Sequence, residues 1–362
     1  MSTVQRAPRR DTPDAPDPEP DSEEDSPARP RRRGSAARLS AGLLVLGLLV
    51  AALAILSVAV GSRAMDLGEV WAGLSDANSS AYPVVTELRL PRTVLGLAAG
   101  AALGLAGALM QAMTRNPLAD PGLLGVNTGA AAAVVTASFF LGSFGFTQTI
   151  AFAFFGAAVA SVAVYLIAGA ATATPARLAL AGAAVTAAGF AYVSAIQLMD
   201  AATLDQMRFW SVGSLVNAHV APMLPVVLLI GVAALAGFSL ARPLNALALG
   251  DATATGLGVD PRVLRVAGIA TITVLAGTAT AVCGPIVFVG LVVPHVVRFF
   301  TGPDQNWVLP YSALTGAAFL LAADVLGRVV GRPGEIQVGI VCAVAGGPFF
   351  LYLVSRRKVA RL

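Results

Sequence analysis

Apolar and polar positions alternate along this chain in long blocks, not in the period of two that a half-buried strand would need. Ten windows of mostly apolar residues fall at roughly 39–60, 92–113, 122–141, 147–170, 178–199, 222–241, 262–283, 285–301, 307–328 and 336–354. Blocks of about 20 such residues match a helix that crosses the hydrocarbon of a bilayer. The windows at 178–199 and 285–301 are short or interrupted, the latter by Pro285 and Pro294. The pattern predicts an all-α polytopic membrane protein with about ten transmembrane helices.

One stretch, 89–130, reads RLPRTVLGLAAGAALGLAGALMQAMTRNPLADPGLLGVNTGA. Glycine recurs at Gly96, Gly100 and Gly104, so one helix face is nearly bare backbone and a second helix can approach it closely. The apolar run then stops at Arg115, Asn116 and Pro117, a tight polar turn before the next window. The unit is read as two packed spans joined by a short cytoplasmic turn.

Composition sharpens this picture. Hydrophobic residues make up 56% of the 362 positions and charged ones 12%, with a mean hydropathy of +0.76, too apolar for a soluble globule. The absence of strand-type alternation argues against a membrane β-barrel. The two cysteines, Cys283 and Cys342, lie inside apolar runs, and no CxxC, HExxH or His/Cys cluster exists, so neither a disulfide framework nor a metal site is expected. No GxxxxGK[ST] sequence is present, so the chain is not expected to bind or hydrolyse ATP itself. The first 38 residues differ: eight acidic and eight basic side chains, many prolines and little apolar content predict a disordered cytoplasmic tail, with the membrane-spanning body at 39–362. The following run, 39–60, is longer than the apolar core of a signal peptide and is read as a retained first span.

Charge sets the orientation. With ten spans and both termini cytoplasmic, 18 of the 24 Lys and Arg residues fall inside, and the excess remains when the tail is removed. Arg89, Arg92 and Arg328 then lie at outer ends. Arg89 and Arg92, three apart, could project from a helix rim toward carboxylates of a soluble protein or anchor the span against lipid phosphates. Asp324 and Arg328 are four apart and can pair on one helix face, with Arg328 reaching to water. Glu335 is placed to cap the last span. His295, beside Pro294, is read as bonding a carbonyl that the proline frees.

A polar loop inside, RPLNALALGDATATGLGVDP at 242–261, carries Leu244, Leu247, Leu249 and Leu257 among small residues, with a Gly250-Asp251 break and Gly258 near its end. It predicts two short helices at an angle. Such knobs can dock into a soluble partner. The competing reading, a helix lying on lipid headgroups, would ordinarily bring more Lys or Arg.

These residues resemble the FecCD permease family. The resemblance rests on RLPR…GAALGLAG…RNPLADPGLLGVNTGA, PLNALALGDATATGLGV, GPIVFVGLVVPHVVR, LPYSALTGAAFLLAADVLGRVVGRPGEIQVGI and GGPFFLYLV, in matching order from about residue 88 to the C-terminus. It implies a type II ABC importer permease fold in the bacterial plasma membrane, for ferric siderophores in the first place and haem or vitamin B12 as alternatives. The implied partners are a second permease subunit (identical or related), two ATPase subunits that use ATP, an extracytoplasmic substrate-binding protein and the ferric-siderophore ligand. No cofactor bound by this chain and no nucleic acid are implied. The resemblance also implies that 243–258 couples to the ATPases and that Arg89, Arg92 and Arg328 meet acidic residues of the binding protein. An ion-coupled secondary transporter is a distant alternative that would need mid-membrane carboxylates and inverted repeats. No nucleophile–base or metal constellation supports a membrane enzyme.

Overall fold

Each of the ten apolar windows folds as helix in the computed structural model, which describes residues 33–61, 65–142, 144–170 and 174–355. The helices in chain order are α1 (Arg33–Ala59), α2 (Leu67–Ser75), α3 (Leu90–Thr114), α4 (Val126–Leu141), α5 (Phe146–Ile167), α6 (Pro175–Met199) and α7 (Ala201–Trp210). They continue with α8 (Met223–Ser239), α9 (Ala241–Ala248), α10 (Asp251–Gly256), α11 (Pro261–Cys283), α12 (Val289–Thr301), α13 (Gln305–Val330) and α14 (Val338–Ser355). No strand occurs among the described residues. Most of the tail expected to be disordered, 1–32, lies outside the described residues, and α1 begins at Arg33, ahead of the expected boundary at 38.

Among the described residues, six helices are long and apolar enough to cross a membrane, and up to seven if α8 and α9, bent by 43°, count as one span. Three shorter apolar helices fill the remaining windows, so length and composition support six or seven crossings against the ten suggested by the sequence.

Local chemistry sets the boundaries. Thr174 and Pro175, Asp260 and Pro261, and Asp304 open α6, α11 and α13, each capping side chain accepting a backbone N–H. Helix α3 ends where Arg115 turns left-handed (φ 48°) and the Asn116 N–H bonds back to the Gln111 carbonyl at 3.2 Å. The expected window at 285–301 is helical only from Val289, after Phe288 at φ 70°.

Helices α3 and α11 form the centre, each 78% buried over its most apolar stretch, whereas α1 is 11% buried there. Leu105, Leu109, Ile272 and Leu275 are fully buried in this core. The glycine face of α3 packs against α13: a Cβ on Gly100 would sit 2.5 Å from the Gly316 carbonyl oxygen, and one on Gly104 would strike the Ser312 carbonyl. The two backbones are in contact, as the small-residue spacing predicted. Cys283 and Cys342 are buried and unpaired.

Candidate docking and coupling sites

The carboxyl end of α1 leaves carbonyls without helical partners, and burial requires that something bond them. Arginines from two other helices do so. Arg89 lies in a wide, π-type turn (Val84–Arg89) that leads into α3, and its Nη1 donates to the carbonyls of Val58 (2.9 Å) and Ala59 (2.8 Å). Arg328, on α13, donates from Nη1 to the carbonyls of Ser57 (2.9 Å) and Val60 (2.8 Å) and from Nη2 to Ser57 Oγ (2.8 Å). Arg332 adds a bond to the Gly61 carbonyl at 2.8 Å. The Thr93 hydroxyl donates to the Arg89 carbonyl (2.9 Å), so across the 2.8 Å contact Ser57 is the donor and Thr93 the acceptor.

Asp324 sits beneath this cap and serves two guanidiniums. Arg92 reaches it from Nε and Nη2, the shortest contact being 2.8 Å, while Arg328 Nη2 lies 2.9 Å from its other oxygen. Arg92 Nη1 also donates to Glu335 at 2.7 Å. The expected Asp324–Arg328 pair is therefore present. Two expectations about exposure fail. Arg89 is 5% exposed and does not project from a rim, and Arg328 is 2% exposed and does not reach water. The reason is the same for both: orphan carbonyls and a shared carboxylate repay burial of the charges with directed bonds. Only Arg92, with 11% of its side chain exposed, Glu335 and the exposed Arg332 reach the surface of the cluster. Arg89, Arg92, Arg328 and Arg332 thus gather at this end around Asp324 and Glu335.

At the opposite end of α3, residues 241–256 form the two short helices expected, α9 and α10, broken at Gly250 (φ 111°). The four leucines divide. Leu244 and Leu247 are buried in the core, which corrects their reading as outward knobs: on the strongly amphipathic α9 they share the inward face. Leu249 and Leu257 are 66% and 61% exposed. Gly258, also left-handed (φ 81°), closes the segment. Three polar ties hold it. Asp251 accepts from Arg115 (2.7 Å) at the end of α3 and from Arg265 (2.5 Å) on α11. Asn245 donates to Asp304 (2.7 Å) and accepts from the Gln305 N–H (2.9 Å), fastening α9 to the start of α13. Burial alone would raise the Asp251 carboxyl, but Arg265 and then Arg115 outweigh it and hold it below the ordinary carboxylate value. Asn116 caps its own turn by accepting the Leu118 N–H at 3.0 Å, with Pro117 between them. An open cavity of about 830 Å³ lies beside Arg115, Asp251 and Arg265.

Elsewhere, His295 packs its ring edge-on against Phe349 (6.2 Å between centroids) and makes no hydrogen bond to a carbonyl freed by Pro294. No group of three metal-ligating side chains occurs among the described residues.

The model of the FecCD transport family matches residues 48–356, most of the chain. This protein belongs to the FecCD transport family. Among its relatives, the ferric enterobactin transport system permease protein FepD of Escherichia coli (strain K12) is 43% identical over 301 residues, covering 82% of this chain and 90% of that one. The Fe(3+)-citrate import system permease protein YfmD of Bacillus subtilis (strain 168) is 40% identical and covers 80% and 85%. The hemin transport system permease protein HmuU of Yersinia pestis is 37% identical and covers 83% and 91%. A solved metal-chelate type ABC transporter in an inward-facing conformation superposes with a TM-score of 0.77 at 28% identity, covering 87% of this chain and 98% of that one. The all-α fold of this FecCD chain is thus that of an ABC transporter permease.

The arginines and the loop singled out in the sequence of this FecCD chain lie at its two ends, but Ser57, Thr93, Arg332, Asn245 and Asp304, which bond to them, were not singled out. The DxN spacing at Asp304 carries an ordinary turn signal, and nothing local ties it to Asn245.

Proposed function

We propose that this chain is the membrane-spanning permease subunit of an ATP-driven ABC importer for ferric siderophores. The observation that carries the reading is near full-length similarity to permeases named for ferric enterobactin and ferric citrate. The subunit would work beside a second permease subunit and above two ATPase subunits, with an extracytoplasmic binding protein delivering the ligand. In this reading both termini are cytoplasmic, the segment 243–258 faces the ATPases, and Leu249 and Leu257 are its free apolar contacts. Closure of the ATPases on ATP would push on α9–α10, and the polar ties to α3, α11 and α13 would pass that displacement to the spans. The chain would bind no cofactor of its own.

At the other end, the arginines gathered around Asp324, of which Arg92 and Arg332 reach the surface, favour a partner with carboxylates. Arg92 and Arg332 would make first contact, since Arg89 and Arg328 are committed to α1. Transport of iron-55-loaded siderophore into vesicles holding the assembled importer tests the substrate class. Accumulation dependent on ATP and binding protein is expected, and accumulation of haem alone would replace the siderophore reading. Haem is the second reading, supported by the 37% identity to the Yersinia hemin permease. Docking of the binding protein should weaken as salt rises and weaken further in Arg332→Glu; salt-independent docking would remove the role of the cluster.

A further inference from the structure

Helix α2 was not anticipated as an element, and neither end of the transport machinery uses it. It starts at Leu67, within eight residues of the end of α1, so it lies at the arginine end of that helix. The capping box between Asp66 and Glu69 starts it: the Glu69 N–H donates to Asp66 (2.7 Å) and the Asp66 N–H to Glu69 (3.2 Å). One side, Val70 and Gly73, is buried against 81–85; a Cβ on Gly73 would lie 2.7 Å from the Val85 side chain. Leu67, Trp71 and Leu74 follow the i, i+4, i+7 spacing of a single stripe, and all three are exposed, Leu67 to 79% and Trp71 to 71%.

We propose that this stripe is a lipid-seated anchor, lying in the plane of the bilayer at the boundary between headgroups and acyl chains. Two observations favour lipid as the occupant. First, α1, whose carboxyl end lies next to α2, exposes Ile55 and Leu56 near that end on a 24-residue apolar stretch long enough to cross a membrane, so α2 continues an apolar surface suited to hydrocarbon. Second, its stripe centres on a tryptophan, whose amphipathic ring favours this depth. The seat also has a positional consequence. Helix α2 packs on the turn that carries Arg89, so the membrane surface itself would fix the height of the α1 cap.

The test uses the full-length chain in phosphatidylcholine vesicles. The sequence has three tryptophans, so Trp210→Phe with Trp307→Phe leaves Trp71 as the reporter. Lipid brominated close to the headgroup should quench Trp71 roughly twofold more than lipid brominated deep in the chain, as a seat about 5–10 Å into the interface requires. Water-soluble acrylamide should quench it weakly. Equal, negligible quenching by both lipids together with full acrylamide access would overturn the proposal. So would protection that arises only when binding protein is added, or only at high permease density, which would assign the stripe to a protein partner or to a second copy. Should the double Phe variant fail to fold, Trp71→Cys carrying a nitroxide gives the same depth from oxygen against aqueous nickel-chelate accessibility. The native cysteines are both buried and would not compete for label.

Discussion

Asp324 is the residue on which the arginine end depends. One carboxylate pairs with both Arg92 and Arg328, while Arg92 also donates to Glu335 and Arg328 to the α1 carbonyls and the Ser57 hydroxyl. Removing one partner of such a buried pair costs about 3–5 kcal/mol, because the other charge stays behind. Asp324→Asn should therefore lower the melting temperature of the detergent-purified protein by more than Glu335→Gln, whose pair is nearer the surface. Equal shifts would mean that Asp324 is not the hub. At the opposite end Asp251 gives a pH signature. Its carboxyl is held below the ordinary value of 3.8, so its contribution is complete above that value and is lost as pH falls through the lower, folded one. An acid melting series should show this limb in the wild type, and Asp251→Asn should remove it. A limb that persists in the variant would point to another carboxylate.

At the scale of elements, the α9–α10 segment separates packing from contact. Leu247→Asp should unfold the segment, with a cost of about 2–5 kcal/mol for a lost core leucine, and reduce the amount of folded protein. Leu249→Asp should leave the melting temperature unchanged while lowering ATP-driven uptake in the assembled importer; a normal uptake rate would sever the segment from coupling. The α3–α13 seam makes a third point. Gly100→Val should destabilise by about 1–3 kcal/mol, because its Cβ meets backbone that cannot move aside. Much of this was readable in advance. Apolar blocks gave the long helices because burial in lipid leaves little choice of residue, and the glycine ladder announced its seam. The capping box at Asp66 and Glu69 was a readable signal for α2 that went unused. The burial of Arg89 and Arg328 was not readable: their partners are main-chain carbonyls of α1, which carry no side-chain signature. The inward turn of Leu244 and Leu247 was equally hidden, since four leucines in a polar loop look alike until the helix phase is known.

Across the whole molecule, α3 and α13 run together from one functional end to the other. Arg92 and Asp324 join them at the arginine end; at the other, Arg115 and the start of α13 hold the α9–α10 segment. With a close-packed glycine seam between them, the pair acts as a strut through the chain. If docking and ATP binding are linked through it, the linkage must be reciprocal: a bound binding protein should change nucleotide affinity by the same factor by which nucleotide changes docking affinity. Titrations in both directions on the assembled complex measure this, and unequal factors would exclude a single shared equilibrium. The cap on α1 also has a history in time. Ser57 and Arg328 are 271 residues apart, so at the usual pace of synthesis, about 5–20 residues per second, the first helix waits on the order of half a minute for the arginine that finishes its end. During that interval the Ser57 and Val60 carbonyls, which Arg89 does not reach, must find water or headgroups, and a nascent chain arrested before α13 should leave that part of the end open to exchange. Helix α1, made ahead of the other described helices, is thus among the last to be secured.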